Sequence, residues 1–327
     1  MPGALRLGGH GQRRQRELRH RPPATERAGV RAFAIVNPAA GGGRARRVWP
    51  AARRTLVAAG WQVDEATAAH RGHEADLAAA AAGDRYEVVI AVGGDGTAHW
   101  AANGLLRARA PGEAAPPPAL AVIPAGTGAD FAAAMGLPRH PLAAAAQLAR
   151  ARVGRVDVGR LNDRYFLTIG TVGFGGEVAR QVNAWPRAVP GPLLYVAAIL
   201  KMLAVYRPVE MTLALDGEAR RRRLFMVAVG NTFRAAGGMQ LCPTARPDDD
   251  RFEVVVFGDL SKPQVLGLLP RAFSGRHVLH PLVEVQAART VTVESPTALS
   301  LQADGELVGQ VPATFALVPR ALPVLVP

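Results

Sequence analysis

The chain has 327 residues, and 49% of them are hydrophobic, which is enough to build the cores of two domains. Cys242 is the only cysteine, so an intrachain disulfide framework is excluded. The formal charge of +13 indicates an anionic partner such as a nucleic acid, a membrane surface or a phosphorylated substrate. Only two of the 39 basic residues are lysines, however, so a coding bias towards arginine explains the charge equally well.

Residues 1–30 are predicted to be a disordered basic tail, since they are rich in arginine, poor in apolar residues and without periodicity. A basic arm for anionic lipid or nucleic acid is the alternative. No apolar segment follows the arginines, so no secretory signal is predicted. No run of 18 apolar residues suggests a membrane-spanning helix. We therefore expect a cytoplasmic protein, with peripheral contact at the inner face of the membrane.

From Arg31 onward, strands alternate with helices in the first half of the chain. This rhythm predicts a parallel sheet that is covered on both faces. The predicted strands are 33–36, 61–66, 88–92 and 119–123. The predicted helices are 44–59, 74–82 and 98–108.

After about Arg155 the pattern becomes rich in strands and predicts a mainly antiparallel β domain. The dipeptide Asp216-Gly217 predicts a hairpin between 211–215 and 224–229. Further strands are predicted at 252–257, 290–294, 299–302 and 314–318, and helices at 193–205 and 263–273.

A glycine-rich loop, Gly93-Gly94-Asp95-Gly96-Thr97, stands between a predicted buried strand and a predicted helix. The start of a helix offers unpaired N–H donors and a partial positive charge, and glycines let a phosphate approach the backbone closely. Asp95 can hold Mg²⁺, and Thr97 adds a hydroxyl donor. A tight turn without a ligand is the alternative interpretation of this loop.

Two further loops are expected to leave the same edge of the sheet. One is Pro124 to Asp130, and the other is the segment Asn37 to Gly43. Ligands bind at the carboxyl ends of parallel strands, so Asp95 and Asp130 are expected to face one crevice. An ordinary acidic residue at a helix start is the alternative for Asp130.

Two familiar kinase designs are excluded by the sequence. Neither lysine follows a glycine, so there is no Walker A loop. The strand lysine and the His-Arg-Asp loop of protein kinases are missing as well. A phosphotransferase with this sequence would bind phosphate through its backbone, Mg²⁺ and arginine.

These motifs resemble those of the bacterial diacylglycerol kinase-like lipid kinases, which are relatives of sphingosine kinases and more distantly of NAD kinases and phosphofructokinases. The resemblance runs from about Arg31 to Pro327 and keeps the order of the family's motifs. They are Asn37-Pro38 with the following glycines, Gly93 to Thr97, Pro124 to Asp130, Gly173-Phe174-Gly175, Gly237-Gly238-Met239 with Pro243 and Ala245, Asp304-Gly305-Glu306, and Ala321 to Pro327.

The resemblance implies an α/β ATP-binding domain and a β-sandwich lipid-binding domain, with ATP in the cleft between them. We expect the first at residues 31–155, with 318–327 as its candidate final strand, and the second at 156–317. The implied nucleotide contacts are Thr67, Gly93, Gly94, Asp95, Gly96, Thr97 and Thr127, with Asn37 beside them.

Glu306 matches the family's catalytic base, which removes the proton of the lipid hydroxyl, although Asp-Gly before it is in the first place a turn signal. Asp95 and Asp130 are the other catalytic carboxylates that we expect. A structural Mg²⁺ site is implied at Asp249, with the main-chain carbonyls of Arg246 and Arg251. ATP and Mg²⁺ are therefore the expected cofactors.

The chain departs from the family pattern at four positions. Ala129 replaces an asparagine, which removes one side-chain amide. His99 and Trp100 stand where the family often has Asn-Glu. Asp250 replaces a glycine in the metal loop, where a left-handed backbone would suit glycine better.

The sequence therefore predicts an ATP-dependent lipid kinase, with a diacylglycerol-like substrate at the membrane surface. The alternatives are a catalytically inactive lipid-binding homologue and an NAD kinase-like phosphotransferase with a soluble substrate. No recognition motif indicates a nucleic-acid partner. The apolar helix near 191–206 either dips into the membrane interface or covers a core. The lipid species and the oligomeric state stay open.

Overall fold

The structure is a computed structural model that describes residues 29–108, 116–185 and 191–327. Most of the predicted basic tail lies outside the described residues. The first half of the chain contains four strands and five helices within the described ranges. They are β1 (Arg31–Val36), α1 (Ala40–Ala58), β2 (Gln62–Thr67), α2 (His73–Gly83), β3 (Val88–Gly93), α3 (Asp95–Arg107), β4 (Ala119–Pro124), α4 (Asp130–Ala134) and α5 (Pro141–Leu148).

The first four strands form a parallel sheet in the order β2-β1-β3-β4. Every residue of β3 and β4 is buried, as expected of strands that are covered by helices on both faces. Within α1, three glycines have φ values of 59°, 63° and 84°, so the regular helix begins at Arg44, the predicted start. Helix α3 begins three residues earlier than predicted, and Asp95 lies in its first turn.

The second half of the chain is mainly strands. Its elements are β5 (Arg152–Leu161), β6 (Arg164–Phe166), β7 (Ile169–Gly173), α6 (Phe174–Ala184), α7 (Gly191–Val205), β8 (Val209–Leu215), β9 (Glu218–Leu224), β10 (Met226–Gly230), β11 (Phe252–Phe257), α8 (Lys262–Ala272), a 3-10 helix (Arg276–Leu279), β12 (Val283–Ala288), β13 (Thr290–Glu294), β14 (Ser300–Ala303), β15 (Glu306–Gln310) and β16 (Ala313–Val326).

Two sheets face each other in this half and form a β-sandwich. One is antiparallel with the order β12-β11-β10-β7-β14-β15, and the other is the extension of the first sheet through β16, β13, β8 and β9. Phe166, Phe252 and Phe315 are fully buried between them, and the ring of Phe166 contacts the rings of the other two. Helices α6, α7 and α8 cover the outer face of the six-stranded sheet. The predicted fold class is confirmed.

The predicted hairpin around Asp216-Gly217 has the right turn but the wrong second strand. Strand β8 pairs with β9, which contains Arg220 to Arg223, whereas Met226–Gly230 forms β10 in the other sheet. A two-residue turn fixes the register, here Leu215 opposite Glu218, so the nearest residues pair even though they are charged. The arginines lie at the open edge of the sheet, where charge discourages pairing with another chain.

Strand β16 joins the two halves of the molecule. Its first residues pair with β13, Val324 pairs with Leu120 of β4, and β5 runs antiparallel along most of its length. The expected domain limits, 155/156 and 317/318, fall within β5 and β16, and the division into an ATP-binding and a lipid-binding domain stays a proposal. None of the helices in the described ranges is long and apolar enough to cross a membrane.

Candidate active site

Three loops meet backbone to backbone at the carboxyl ends of β1, β3 and β4. A Cβ atom added to Gly126 would lie 2.4 Å from the Cα atom of Gly94. One added to Gly41, where φ is 59°, would lie 2.1 Å from the carbonyl oxygen of Ala125. Real Cβ atoms do not approach so closely, so these positions accept only glycine without a shift of the loops. The glycines of the sequence motifs thus bring the three loops together.

Asn37 and Thr97 connect the loops through hydrogen-bonded side chains. The Asn37 side-chain amide donates to the hydroxyl oxygen of Thr97 at 3.1 Å and to the carboxylate of Glu74 at 3.0 Å. Thr97 and Glu74 are buried. A Cβ atom on Gly93 would lie 2.2 Å from the Thr97 hydroxyl oxygen, so this glycine makes room for the threonine. Asn37 thus links the loop after β1 to α3 and to the start of α2.

Thr67 and Thr127 flank these loops and are exposed. Thr67 ends β2, opposite Val36 in β1, and Thr127 lies in the loop after β4. The four strands from β2 to β4 span about 14 Å at the usual strand spacing. The predicted nucleotide contacts therefore form a row along one edge of the sheet, with Gly93 to Thr97 in the middle.

Asp95 and Asp130 face each other across Gly128, as expected from the sequence. A Cβ atom on Gly128 would lie 2.6 Å from Oδ2 of Asp95 and 3.6 Å from Oδ2 of Asp130. Asp95 accepts the N–H of Phe131 at 2.9 Å, and Asp130 accepts the N–H of Gly237 at 2.8 Å. Burial and, second, the charge of Asp130 raise the pKa of Asp95 to about 6.

The second oxygen of Asp130 is buried and has no hydrogen-bond partner among the described residues. Two neighbouring carboxylates, one with a free buried oxygen, fit a divalent cation that would neutralise their charge. Clusters of three or more His, Cys, Asp or Glu side chains suited to a metal do not occur in the described ranges. Mg²⁺ needs only one or two carboxylates when substrate phosphates complete its shell.

Glu306 faces the glycine-rich loop from the second half of the molecule. It is the first residue of β15 and follows a turn in which Asp304 and Gly305 have φ values of 51° and 85°. Its Oε1 atom would lie 3.4 Å from a Cβ atom on Gly96. The Glu306 carboxylate is 14% exposed and forms an ion pair with the Arg71 guanidinium. Glu306, the expected catalytic base, thus stands at the start of a strand and faces the glycine-rich loop.

Asp304 fixes the turn before Glu306. Its buried carboxylate accepts the N–H groups of Leu167 and Thr168 at 2.8 and 2.7 Å, the Thr168 hydroxyl at 2.6 Å and the ring Nδ1 of His99 at 2.9 Å. Burial alone would raise the pKa of Asp304, but the hydrogen bond and charge of His99 and the bonds from Thr168 and Leu167 hold it below its usual value. His99, a departure from the family pattern, thus ties α3 to this turn.

Arg71 also links the two halves of the molecule, and sequence reasoning did not find it. Besides Glu306, it donates to the side-chain oxygen of Asn183 in α6 at 2.9 Å. Asn183 donates in turn to the Ala179 carbonyl at 2.8 Å, which holds its orientation. Arg71 stands alone in a loop after β2, and no motif surrounds it that would have singled it out.

The predicted metal loop lies away from Asp95, beside β5. Oδ1 of Asp249 is buried without a hydrogen-bond partner among the described residues, and burial raises the pKa of Asp249. An unpaired buried carboxylate oxygen suits the binding of a cation, so Asp249 could hold one. Asp250 has a φ of 60°, which aspartate tolerates better than most residues. Its N–H donates to the buried Asp157 carboxylate at 2.9 Å, which steadies the loop.

Comparison with known proteins gives matches along most of the chain. Residues 31–161 match the family model of the diacylglycerol kinase catalytic domain. Residues 169–326 match that of the YegS C-terminal NAD kinase beta sandwich-like domain.

The chain is also similar to whole proteins from other bacteria and to a solved structure. It is 30% identical over 297 residues to a diacylglycerol kinase of Staphylococcus aureus, covering 91% of this chain and 92% of that protein. A diacylglycerol kinase of Staphylococcus saprophyticus subsp. saprophyticus is 29% identical, with 91% and 95% covered. The crystal structure of a diacylglycerol kinase from Bacillus anthracis str. Sterne superposes with a TM-score of 0.73 at 22% identity, over 91% of this chain and 97% of that one, which supports the fold.

Proposed function

The chain belongs to the diacylglycerol kinase family, and on that premise we propose that it transfers the γ-phosphate of ATP to the hydroxyl group of a lipid. The observation that carries the proposal is the position of Glu306. Its carboxylate stands across the cleft from the glycine-rich loop and is ion-paired with Arg71. A carboxylate opposite a phosphate-binding loop is what a phosphotransferase needs to orient an attacking hydroxyl group.

In the proposed reaction the lipid hydroxyl oxygen attacks the γ-phosphorus of ATP while Glu306 accepts the hydroxyl proton. A bond forms between that oxygen and phosphorus, and the bond to the bridging oxygen breaks, so that its electron pair leaves with ADP. Arg71 and the anchored turn at Asp304 keep the Glu306 carboxylate in place. Asp130 is the second candidate for the base.

The row of Thr67, the Gly93–Thr97 loop and Thr127 is the proposed nucleotide site. The N-terminal end of α3 directs backbone N–H groups towards the phosphates. Asn37 acts indirectly in this proposal, because its amide holds the Thr97 hydroxyl and the Glu74 carboxylate.

Asp95 and Asp130 would hold Mg²⁺ at the phosphates, and Asp249 with the carbonyl groups of Arg246 and Arg251 would hold a second, structural ion. When bound beside ATP, Mg²⁺ supplies positive charge that stabilises the phosphates as they transfer. The free buried oxygens of Asp130 and Asp249 support this assignment. The Phe131 and Gly237 N–H groups keep the two carboxylates oriented.

We further propose a diacylglycerol-like substrate and a cytoplasmic location with peripheral contact at the inner face of the membrane. The names of the Staphylococcus relatives support the substrate class. A nucleic-acid partner is not part of the proposal. A place in phospholipid biosynthesis would follow if the product is a phosphorylated glycerolipid.

The test is phosphorylation of a lipid extract with radiolabelled ATP and Mg²⁺, comparing the parent protein with Glu306→Gln. Loss of the base should lower the rate by about 10²–10⁴-fold, while ATP binding measured by calorimetry stays close to the parent value. Glu294→Gln is the matched control, since Glu294 is exposed and lies at the end of β13. A parent protein without lipid product would support the inactive homologue, and a product in the aqueous phase would support the NAD kinase-like alternative.

A further inference from the structure

Helices α7 and α8 both pack on the outer face of the six-stranded sheet. Their buried sides share one apolar core, to which α7 contributes Ile199 and Met202 and α8 contributes Val265 and Leu268. The ammonium group of Lys262, at the start of α8, donates to the carbonyl of Ala204 near the end of α7. The opposite sides of both helices therefore face solvent on the same side of the molecule.

Those opposite sides are unusually apolar. Twelve large hydrophobic side chains are exposed in the described parts of the chain, and six of them lie on α7, on or next to α8, and in the 3-10 helix that follows. They are Val196, Leu200, Val205, Leu266, Phe273 and Leu279. The exposed fraction reaches 68% for Val205 and 76% for Leu279. We call these six residues the outer helix surface. A concentration of this kind is typical of an interaction site.

The two segments that carry the outer helix surface contain only positive charges. Residues 191–208 and 261–283 contain five lysines and arginines and no aspartate or glutamate, although the whole chain has 39 basic and 26 acidic residues. The five are Lys201, Arg207, Lys262, Arg271 and Arg276, and all are exposed. None of them takes part in an ion pair within the described ranges. Their charge is therefore free to attract an anionic partner.

Lys201, the neighbour of Leu200 in α7, is linked by two contacts to the proposed catalytic turn. The ammonium group of Lys201 is 5.2 Å from the ring centre of Trp185, directly after α6. Two residues earlier, the side-chain amide of Asn183 lies 3.4 Å from the carbonyl oxygen of Gly305, which is adjacent to Glu306. A partner that covers the outer helix surface would thus lie beside the cleft.

From this juxtaposition we infer that the outer helix surface docks on an anionic lipid bilayer. Exposed apolar side chains on segments whose charged residues are all cations match the interface of such a bilayer, where the hydrocarbon boundary lies under anionic head groups. A second copy of the chain fits less well, because it would bring a second set of uncompensated positive charges to the contact. The inference rests on the proposed lipid kinase activity in one respect. If the substrate is a membrane lipid, docking brings the cleft to that substrate.

The test measures sedimentation of the full chain with vesicles of phosphatidylglycerol mixed with phosphatidylcholine, and with vesicles of phosphatidylcholine alone. We expect binding to the anionic vesicles that weakens as salt is added. Each basic residue near an anionic surface contributes about fivefold to the partition coefficient, so Lys201→Gln with Arg271→Gln should lower it by about 25-fold. Leu200→Ser with Phe273→Ser should also lower the partition coefficient by about 25-fold, and this loss should persist at high salt, where the attraction between charges is screened.

Arg54→Gln with Val57→Ser is the matched control, because this pair is exposed on α1, far along the chain from the outer helix surface. Unchanged melting temperatures show that the variants fold. The inference is overturned if the parent does not sediment with anionic vesicles, or if the outer-surface variants bind as the parent does. It is also overturned if vesicle binding is absent and these variants abolish self-association in ultracentrifugation, because the surface would then bind a second copy of the chain.

A separate assay distinguishes failure of this inference from failure of the proposed function. A short-chain diacylglycerol dissolved as monomers needs no membrane, so the outer-surface variants should phosphorylate it at the parent rate. If the parent binds vesicles but phosphorylates neither this nor any other lipid, the docking surface stands and the proposed activity fails.

Discussion

Replacing Asp304 by asparagine tests how firmly the turn before Glu306 is anchored. Asparagine tolerates the left-handed backbone of this position as aspartate does, so the change removes charge and one acceptor without altering the turn. Oδ1 of the asparagine can keep the two bonds from Thr168. The new amide group then faces the Leu167 N–H and the His99 ring, which both donate to the carboxylate in the parent protein.

The magnitude follows from those two contacts. A hydrogen bond to a charged group contributes about 1.5–3 kcal/mol to stability, so the loss of two gives about 3–6 kcal/mol. The His99 ring can present its other tautomer and accept from the new amide, which favours the lower half of that range. We expect urea denaturation to show that Asp304→Asn lowers the free energy of unfolding by about 3–4 kcal/mol. The control Asp163→Asn, in the exposed turn between β5 and β6, should change it by less than about 0.5 kcal/mol.

The pH dependence gives a second measure of the same anchor. The pKa of Asp304 is lower in the folded protein than in the unfolded chain, where it is near 3.9. Its stabilisation is therefore complete above about pH 4 and is lost as the pH falls through the folded value. The difference between the parent and Asp304→Asn should shrink in that acidic range. A loss of stability below about 1 kcal/mol at neutral pH, or a difference that persists in acid, would refute the reasoning.

Three further predictions concern the loops of the first half. Asp95→Asn should abolish Mg²⁺-dependent turnover. In chelator-treated protein it should raise the melting temperature at neutral pH. The pKa of Asp95 is raised to about 6, so its protonated form, which stabilises the fold, is lost as the pH rises through that value, whereas asparagine stays neutral. Ala129→Gly should raise the free energy of unfolding in urea by about 0.5–1 kcal/mol, since it relieves a strained φ of 53°; an unchanged midpoint would contradict this. Gly126→Ala should lower the free energy of unfolding by about 1–3 kcal/mol and remove most of the activity, because its Cβ atom would collide with Gly94. Gly83→Ala, with open space around it, should change neither the stability nor the activity.

The sequence locates the glycine-rich loop and its carboxylates well, because their signals are local. Glycines between a buried strand and a helix start specify both the close approach of the loops and the exposed N–H groups. The parallel sheet places Asp95 and Asp130 together, since neighbouring strands end at one edge. The position of Glu306 opposite this edge was expected from the family resemblance and agrees with the structure.

The contacts that link the two halves cannot be predicted from local sequence patterns. His99 and Asp304 are 205 positions apart, and Arg71 and Glu306 are 235 positions apart. Their meeting depends on how the sandwich is set against the parallel sheet, which no local pattern encodes. The same limit explains the hairpin after Asp216-Gly217, where hydrophobicity suggested one partner strand and turn geometry imposed another. His99 stood out in the sequence only as a departure from the family pattern, because its partner Asp304 lies in the other half.

The course of β16 has a consequence for biosynthesis. Leu120 of β4 and its strand partner Val324 lie 204 positions apart (324 − 120), so the ribosome needs on the order of 10–40 s to make the residues between them. Until then the edge of β4 that faces away from β3 has no strand partner, and β5 lacks its longest partner. An open, apolar strand edge of this kind is a target for aggregation and for chaperones. The edges of β4 and β5 therefore stay open until β16 has been synthesised.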